Sequence, residues 1–323
     1  MTVPKPPHDD FPPGPGGPLP GDIHFDGTAQ PVHHFDRTAQ LVNHLDGTAQ
    51  PVNRAGSRPA ARPATRPGPV AHGGRHRPAP PALVLVAHGS RDPRALRTVR
   101  ALVNRVRALR PALPVHLGHI ELNEPLLPDT LAALGGAGAV LVPLLFGRGH
   151  HVKRDIPEAV AAAGARARVA APLGPHPLLV EALHARLTEA GWPPVPDDAA
   201  RRTSAVVLAA AGSRDPESRA GTRRTAALLA ERLGVPVLAA YASAAVPTVA
   251  DAVGALAARG RHRVAVASCF TAPGRFATQC ARAAPWIASA PLGPHPALAR
   301  LVLHRYDETV AAAAAPRPAL TPA

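Results

Sequence analysis

The chain has 323 residues, a hydrophobic fraction of 46% and only 3% aromatic residues, so two domains with aliphatic cores are expected. Its formal net charge of +14 comes mostly from scattered arginines, without the interleaved basic and aromatic residues of a nucleic-acid surface. No apolar stretch is typical of a signal peptide or a membrane span. We therefore expect a cytoplasmic protein that binds neither nucleic acid nor membrane, and a polyanionic small molecule explains the charge equally well.

The two cysteines, Cys269 and Cys280, do not predict a metal centre or a disulfide framework. Their separation of eleven positions is neither a zinc nor an iron–sulfur spacing, and two thiols are too few for a disulfide scaffold. A reducing compartment is the simpler assumption.

Residues 1–81 differ in composition from the rest of the chain. They are rich in Pro and Gly and lack apolar periodicity, which predicts a disordered tail. A ten-residue repeat in this tail places histidines at His24, His34 and His44. The repeat is either a metal reservoir or a tandem duplication in a tolerant segment. We favour the duplication, because such spacing builds no preformed site.

From residue 82 the pattern alternates between short apolar runs and helical segments. The first run is continuous, as in strands buried on both faces, and Asp92-Pro93 supplies a helix cap and a first-turn proline. The predicted strands cover residues 82–87, 114–120, 139–146 and 168–171. The predicted helices cover residues 93–109, 126–134, 155–163 and 177–190.

A second copy of this pattern follows, which indicates an internal duplication. Each copy begins with an apolar run and a Gly-Ser-Arg-Asp-Pro turn, at 89–93 and 212–216, and closes with Pro-Leu-Gly-Pro-His-Pro. The predicted fold is α/β, with two tandem doubly wound parallel-sheet lobes. The predicted divisions are the tail 1–81, a first lobe 82–191, a linker 192–203, a second lobe 204–313 and a disordered end 314–323.

Ionisable side chains follow three strands of the first lobe. His88 follows the first strand, Glu121 the second, and His150-His151 the third. Ligands of open α/β sheets bind at the carboxyl ends of strands, so these groups predict a site for a divalent transition metal. Aligning the two copies replaces His88, Glu121 and His151 by Ala211, Ser243 and Arg275. The chemistry is therefore expected in the first lobe alone.

His176 and His295 occur in both copies beside proline. The second lobe lacks the counterparts of His88 and His151 but keeps His295. Both His176 and His295 are therefore predicted to be helix caps or packing residues.

Three stretches together resemble the class II tetrapyrrole chelatases. They are the Ala-His-Gly-Ser-Arg-Asp-Pro turn, His119-Ile-Glu-Leu-Asn-Glu-Pro125, and Gly149-His-His-Val-Lys-Arg-Asp-Ile-Pro157. The similarity covers about residues 82–313 and is greatest to the two-domain sirohydrochlorin cobaltochelatases and ferrochelatases. It implies a lyase that inserts Fe2+ or Co2+ into sirohydrochlorin during sirohaem or cobalamin biosynthesis. Imidazole and carboxylate ligands discriminate little among divalent first-row metals, so Ni2+ is also possible. The metal is then a substrate, and no organic cofactor is implied.

The resemblance also implies roles for individual residues. His88, Glu121 and His151 correspond to the catalytic metal site, and His119 and His150 are further candidate ligands. The candidates for binding the substrate's carboxylates are Ser90, Arg91, Arg148, Lys153, Arg154 and Arg275, with Arg214 as another cation at the rim. A monomer whose two lobes imitate a dimer is expected.

Two alternatives of other classes remain at this stage. A metal carrier or tetrapyrrole-binding protein would keep the arginines and the ligands without turnover. A nucleic-acid-binding protein would need a concentrated basic face and would show steep salt dependence.

Overall fold

The computed structural model describes residues 80–193 and 197–315. Residues 1–79 of the predicted tail, which include its histidine repeats, and residues 316–323 of the predicted C-terminal segment lie outside the described residues. Within the described ranges, no helix is both long and apolar enough to cross a membrane.

The first lobe alternates strands and helices as the sequence predicts. Its strands are β1 (Ala82–Ala87), β2 (Val115–His119), β3 (Ala139–Pro143) and β4 (Ala167–Val169). Its α-helices are α1 (Pro93–Leu109), α2 (Leu127–Ala133), α3 (Ile156–Ala162) and α4 (Pro177–Glu189), and a π-helical turn, His151–Asp155, leads directly into α3. The predicted helix from about Asp155 agrees with α3 within one residue, but the π-helical turn before it, which begins at His151, was not predicted.

The second lobe repeats this order with one strand fewer. Its elements are α5 (Asp198–Thr203), β5 (Ser204–Ala210), α6 (Pro216–Leu233), β6 (Val237–Tyr241), α7 (Val249–Ala257), β7 (Arg263–Ser268), α8 (Arg275–Arg282) and α9 (Pro296–Ala314). Where the first lobe has β4, the described part of the second lobe has only an isolated bridge between Val266 and Ala288.

Both sheets are parallel, with β1 and β5 at their centres. The strand orders are β2-β1-β3-β4 and β6-β5-β7. The expected two-lobed parallel α/β fold is confirmed.

The two lobes share a hydrophobic layer. Leu83 and Leu85 of β1 and Val206 and Leu208 of β5 belong to one buried cluster. The alternate residues of the two strands, such as Val84 and Val207, face separate outer clusters. Each central strand is therefore buried on both faces, which explains its uninterrupted apolar sequence. Replacing a residue such as Leu85 by Ala is expected to cost about 2–5 kcal/mol.

The segment predicted as a linker contributes to this layer. Trp192 is buried in the shared cluster and its ring lies 5.6 Å from that of Trp286 in the second lobe, while α5 occupies residues 198–203. The proposed lobe boundaries otherwise stay a prediction.

His176 and His295 are helix caps, as predicted. The Nδ1 of His176 accepts a hydrogen bond from the N–H of Leu178 at the start of α4 (3.0 Å), and that of His295 accepts one from Ala297 at the start of α9 (3.2 Å). Burial lowers the pKa of both imidazoles, which keeps them neutral and able to accept.

Ion pairs connect the π-helical turn of the first lobe to the start of α6 in the second. The Nζ of Lys153 lies 2.7 Å from a carboxylate oxygen of Asp215 and 2.9 Å from one of Glu217. Arg148 lies 3.8 Å from Glu217. Hydrogen bonding to Lys153 holds the pKa of Asp215 below its ordinary value of 3.8. The hydrogen bond to Asp215 raises that of Lys153 above 10.5.

We expect Lys153→Met to speed hydrogen exchange in the backbone of the π-helical turn, because the substitution removes both ion pairs to α6. Mass spectrometry of peptides covering 150–156 measures this, and Arg154→Met on the same turn is the matched control. In the unsubstituted chain the ion pair should persist at neutral pH and be lost as pH falls through the lowered pKa of Asp215, since the protonated carboxyl is uncharged. Equal exchange in both variants would contradict this anchoring role.

Both cysteines should be unreactive in the folded chain. Burial raises the pKa of Cys269 to about 12 and that of Cys280 to about 11, so almost no thiolate is present near neutral pH. A chromogenic thiol reagent should label neither residue in buffer and both in guanidinium chloride. Rapid labelling of either thiol in the folded protein would show that the burial is incomplete.

Candidate metal centre between the lobes

The three strand-end groups of the first lobe meet at one edge of its sheet. His88 follows β1 and Glu121 follows β2, and the two are joined by the N–H of Glu121 donating to the carbonyl of His88 at 3.0 Å. His151 opens the π-helical turn that follows β3. Parallel strands bring their carboxyl ends together, so the chain places these side chains side by side.

A glycine fixes the loop that carries Glu121. Gly89 has a φ of +108°, and a Cβ at this position would lie 1.8 Å from the carbonyl oxygen of Glu121. The N–H of Ser90 donates to Oδ1 of Asn123 at 2.7 Å, which closes the same loop. A residue other than glycine at 89 would displace Glu121 from His88.

His88 pairs with Glu121. The Nδ1 of the imidazole lies 3.4 Å from Oε1 of the carboxylate. The side chains are 44% and 52% exposed, so a metal ion can reach both from solvent.

His151 pairs with Asp155, which the sequence analysis did not single out. Its Nδ1 lies 2.5 Å from Oδ2 of Asp155, and Oδ1 of the same carboxylate lies 3.3 Å from Nε2 of His150. The four-residue spacing within a helical segment is the sequence signal that predicts such a contact.

The two paired imidazoles face each other. The ring centroids of His88 and His151 lie 4.6 Å apart and the rings are nearly perpendicular, at 89°. Within residues 80–193 and 197–315, no group of three or more His, Cys, Asp and Glu side chains has the geometry to hold a metal ion. His88, Glu121 and His151 are therefore neighbours in this structure but not a formed ligand set.

The two further candidate histidines occupy different surroundings. His119 is buried, its Nδ1 lies 3.1 Å from the carbonyl of Pro125, and burial lowers its pKa. His150 is 73% exposed and its ring lies 6.4 Å from that of His151, farther than the ring of His88. The geometry therefore favours His88 and His151 as the facing pair.

A cavity of about 1020 Å³ lies between the lobes and opens at this pair. Its walls are mostly apolar in both lobes, and His88 and His151 are among the residues that line it. The apolar lining includes Leu144, Leu145 and Phe146 from the first lobe and Phe270, Ala272 and Phe276 from the second. The volume suits a large organic ligand, since it lies at the upper end of the range of about 300–1,000 Å³ that is typical of small-molecule sites.

Three of the predicted carboxylate-binding residues line this cavity: Ser90, Arg91 and Arg275. Arg148, Lys153 and Arg154 are not among the lining residues, and Lys153 is occupied by Asp215 and Glu217. The guanidinium of Arg275 lies over the ring of Phe276, 5.0 Å from its centroid, so its charge is held at the apolar wall.

The second lobe confirms two of the three aligned replacements and corrects the third. The N–H of Ser243 donates to the carbonyl of Ala211 as that of Glu121 does to His88, so these positions are equivalent. The pairing of β3 with β1 and of β7 with β5 instead places Gly274 opposite Gly149 and Arg275 opposite His150. Aligning Arg275 with His151 was wrong by one residue, because the first lobe contains an additional residue in its π-helical turn.

Curated relatives of the chain are chelatases. A sirohydrochlorin cobaltochelatase of Methanococcus maripaludis is 38% identical over 80 residues, 24% of this chain and 56% of that protein. One of Sulfolobus acidocaldarius is 35% identical over 114 residues, 33% of this chain and 90% of that protein. A sirohydrochlorin ferrochelatase of Bacillus subtilis is 32% identical over 163 residues, 48% of this chain and 59% of that protein. The chain thus spans just over half the length of the first and third.

Solved structures share the fold. SirB from Bacillus subtilis with Fe3+ superposes with a TM-score of 0.59 at 23% identity, covering 72% of this chain and 96% of that one. CbiX, described as the terminal enzyme for biosynthesis of siroheme in denitrifying bacteria, gives a TM-score of 0.55 at 24% identity, covering 73% and 100%. The CbiX family model matches both lobes, at residues 82–190 and 205–309. Two matches of this extent identify the chain as a member of the CbiX family.

Proposed function

We propose that this chain is a sirohydrochlorin chelatase, a lyase that inserts Fe2+ or Co2+ into the macrocycle for sirohaem or cobalamin biosynthesis. The observation that carries the proposal is the pair of facing imidazoles, His88 and His151, that line a mostly apolar cavity between the lobes. The metal is a substrate, no organic cofactor takes part, and the enzyme acts as a cytoplasmic monomer with no nucleic-acid or membrane partner.

The donor set suits a metal that must be released. Neutral imidazoles and a carboxylate bind divalent first-row metals, and an open site leaves positions for water or pyrrole nitrogens. Four thiolates would retain the ion. His88, Glu121 and His151 are thus proposed to receive the cation and pass it on. Imidazole and carboxylate ligands distinguish divalent first-row metals little beyond the general order of their affinities, so the site should also accept Ni2+.

Proton transfer follows from the same groups. Insertion breaks two pyrrole N–H bonds, and two protons leave as the dication enters the ring. Imidazole accepts protons near neutral pH, and the Glu121 carboxylate beside His88 stabilises the imidazolium that forms. The site therefore exchanges one dication for two protons without a change in its total charge.

The cavity walls would hold the macrocycle. Phe146 and Phe270 offer apolar surface from the two lobes, and Arg91 and Arg275 offer guanidinium groups to the substrate's carboxylates. Ser90 can donate a hydrogen bond at the same rim. Arg148 and Arg154 are proposed as more distant charges. For Lys153 we favour the role of interlobe anchor.

His88→Ala and His151→Ala are each expected to lower the rate of metal insertion by about 100-fold or more, because each removes a ligand and a proton acceptor. The measurement is the change in the visible spectrum of sirohydrochlorin on adding Co2+ or Fe2+, corrected for the spontaneous rate. His150→Ala is the matched control and should remain within a few-fold of the unsubstituted chain. Unsubstituted protein that binds sirohydrochlorin and Co2+ without accelerating insertion would instead indicate a carrier.

Arg275→Ala should raise KM for sirohydrochlorin about 10-fold with a smaller effect on kcat, because a carboxylate contact far from the pyrrole nitrogens contributes equally before and during insertion. Arg259→Ala removes an exposed charge elsewhere on the second lobe and serves as the control. An unchanged KM for Arg275→Ala would remove this residue from the substrate site.

A further inference from the structure

Asp155 lies outside the three-ligand set proposed above, yet it makes the shortest polar contact at the site. Its Oδ2 lies 2.5 Å from Nδ1 of His151, and its Oδ1 lies 3.3 Å from Nε2 of His150. We propose that Asp155 is a positioning residue that fixes the tautomer and orientation of His151, so that Nε2 of this ring is the metal-binding atom. The inference rests on the proposed function and specifies how its site is held.

The tautomer follows from the hydrogen-bond partner. An ionised carboxylate can only accept, so Nδ1 of His151 donates this hydrogen bond, and in the neutral ring, the form that binds a metal, the lone pair is then on Nε2. A metal binds through a lone pair, which leaves Nε2 as the only ligand atom of this ring. A free neutral imidazole exchanges between two tautomers and several ring orientations, and Asp155 removes that freedom.

A looser contact of the same kind occurs on the facing ring. The Nδ1 of His88 lies 3.4 Å from Oε1 of Glu121, so a carboxylate lies near Nδ1 of each imidazole, although only His151 makes a hydrogen bond to it. The ring centroids lie 4.6 Å apart, so one ion could be bound by Nε2 of both rings together with the Glu121 carboxylate.

The backbone places Asp155 where it is needed. In the π-helical turn the N–H of Ile156 donates to the carbonyl of His151, five residues earlier, instead of the four of an α-helix. Ile156 and Cys280 are equivalent, since each is buried in the outer cluster of its lobe. Gly149 and Gly274 are also equivalent. The first lobe has one residue more between Gly149 and Ile156 than the second has between Gly274 and Cys280. The additional residue widens the turn that carries both His151 and Asp155.

The second lobe lacks both members of the pair. Its corresponding stretch, Phe276-Ala277-Thr278-Gln279, contains no imidazole and no carboxylate and continues as regular α-helix in α8. The carboxylate and the widened turn therefore accompany the metal-site histidine in the one lobe that has it. A purely structural cap would be expected in both lobes, as for His176 and His295.

The first test measures the tautomer directly. In the full-length chain labelled with 15N-histidine, long-range 1H–15N spectra at about pH 8, where ordinary imidazoles are neutral, distinguish Nδ1–H from Nε2–H. His151→Gln assigns the signal by its loss. The expected result is an Nδ1–H tautomer at His151 that is lost in Asp155→Ala and kept in Glu158→Gln, which removes an exposed carboxylate from the next turn. An Nε2–H tautomer in the unsubstituted chain would overturn the proposal.

The second test measures Co2+ affinity without tetrapyrrole. Co2+ binding is followed by visible absorption titration. The binding measured for the double variant His88→Ala/His151→Ala is subtracted, because it represents the contribution of the chain's other histidines. Asp155→Ala should weaken the remaining binding about 10- to 100-fold, Asp155→Glu should restore part of it, and Glu158→Gln should leave it unchanged. If Asp155→Ala does not fold, Asp155→Asn has the same shape and should weaken binding in the same direction.

The two proposals fail in different ways. Equal Co2+ affinity in Asp155→Ala and Glu158→Gln, with the rate still dependent on His151, would overturn the positioning role and leave the chelatase intact. Asp155-dependent Co2+ binding in a chain that never accelerates insertion would overturn the chelatase and leave the positioning role.

Discussion

The burial of β1 and β5 on both faces determines the rest of the structure. Alternate residues of each strand enter one shared apolar layer, which fixes the sheets of the two lobes against the same helices. The carboxyl ends of both sheets then line a single cavity. The packing of the two sheets in this layer therefore brings His88 and His151 of the first lobe near the apolar surface and Arg275 of the second lobe.

The two lobes have the same fold but differ in the side chains at their strand ends. Both lobes keep the glycine turn, at Gly89 and Gly212, because the next strand's loop leaves no room for a Cβ. Only the first lobe keeps imidazoles and carboxylates at the strand ends. The second contributes a wall, the guanidinium of Arg275 and the carboxylates Asp215 and Glu217 that anchor the π-helical turn. The second lobe thus supports the lobe that carries the proposed metal ligands.

The sequence predicted the features that depend on local pattern. Continuous apolar runs, the Asp92-Pro93 cap and parallel topology were sufficient to place His88 and Glu121 at neighbouring strand ends. The caps His176 and His295 followed from their presence in both copies. These predictions succeeded because strand burial and chain direction determine where a strand end lies, whatever the detailed packing.

Features that depend on a single residue of register were not predicted. Arg275 was aligned with His151 because the sequence does not reveal which turn contains the additional residue, and only the strand pairings do. The same widened turn concealed Asp155, whose contact depends on a helix beginning at His151 rather than at Asp155. Lys153 was expected among the substrate's carboxylates, since the sequence does not indicate that Asp215 and Glu217 approach it from the other lobe. Long-range contacts of this kind follow only from the assembled lobes.

The central claim is that His88 and His151 bind one metal ion on the wall of a cavity that both lobes line. Anomalous diffraction from crystals of the full chain soaked with Co2+, recorded on both sides of the cobalt absorption edge, tests this most directly. The account predicts a peak within bonding distance of Nε2 of both rings. A peak bound by His119, or by His150 without His88, with none between the facing rings would contradict it.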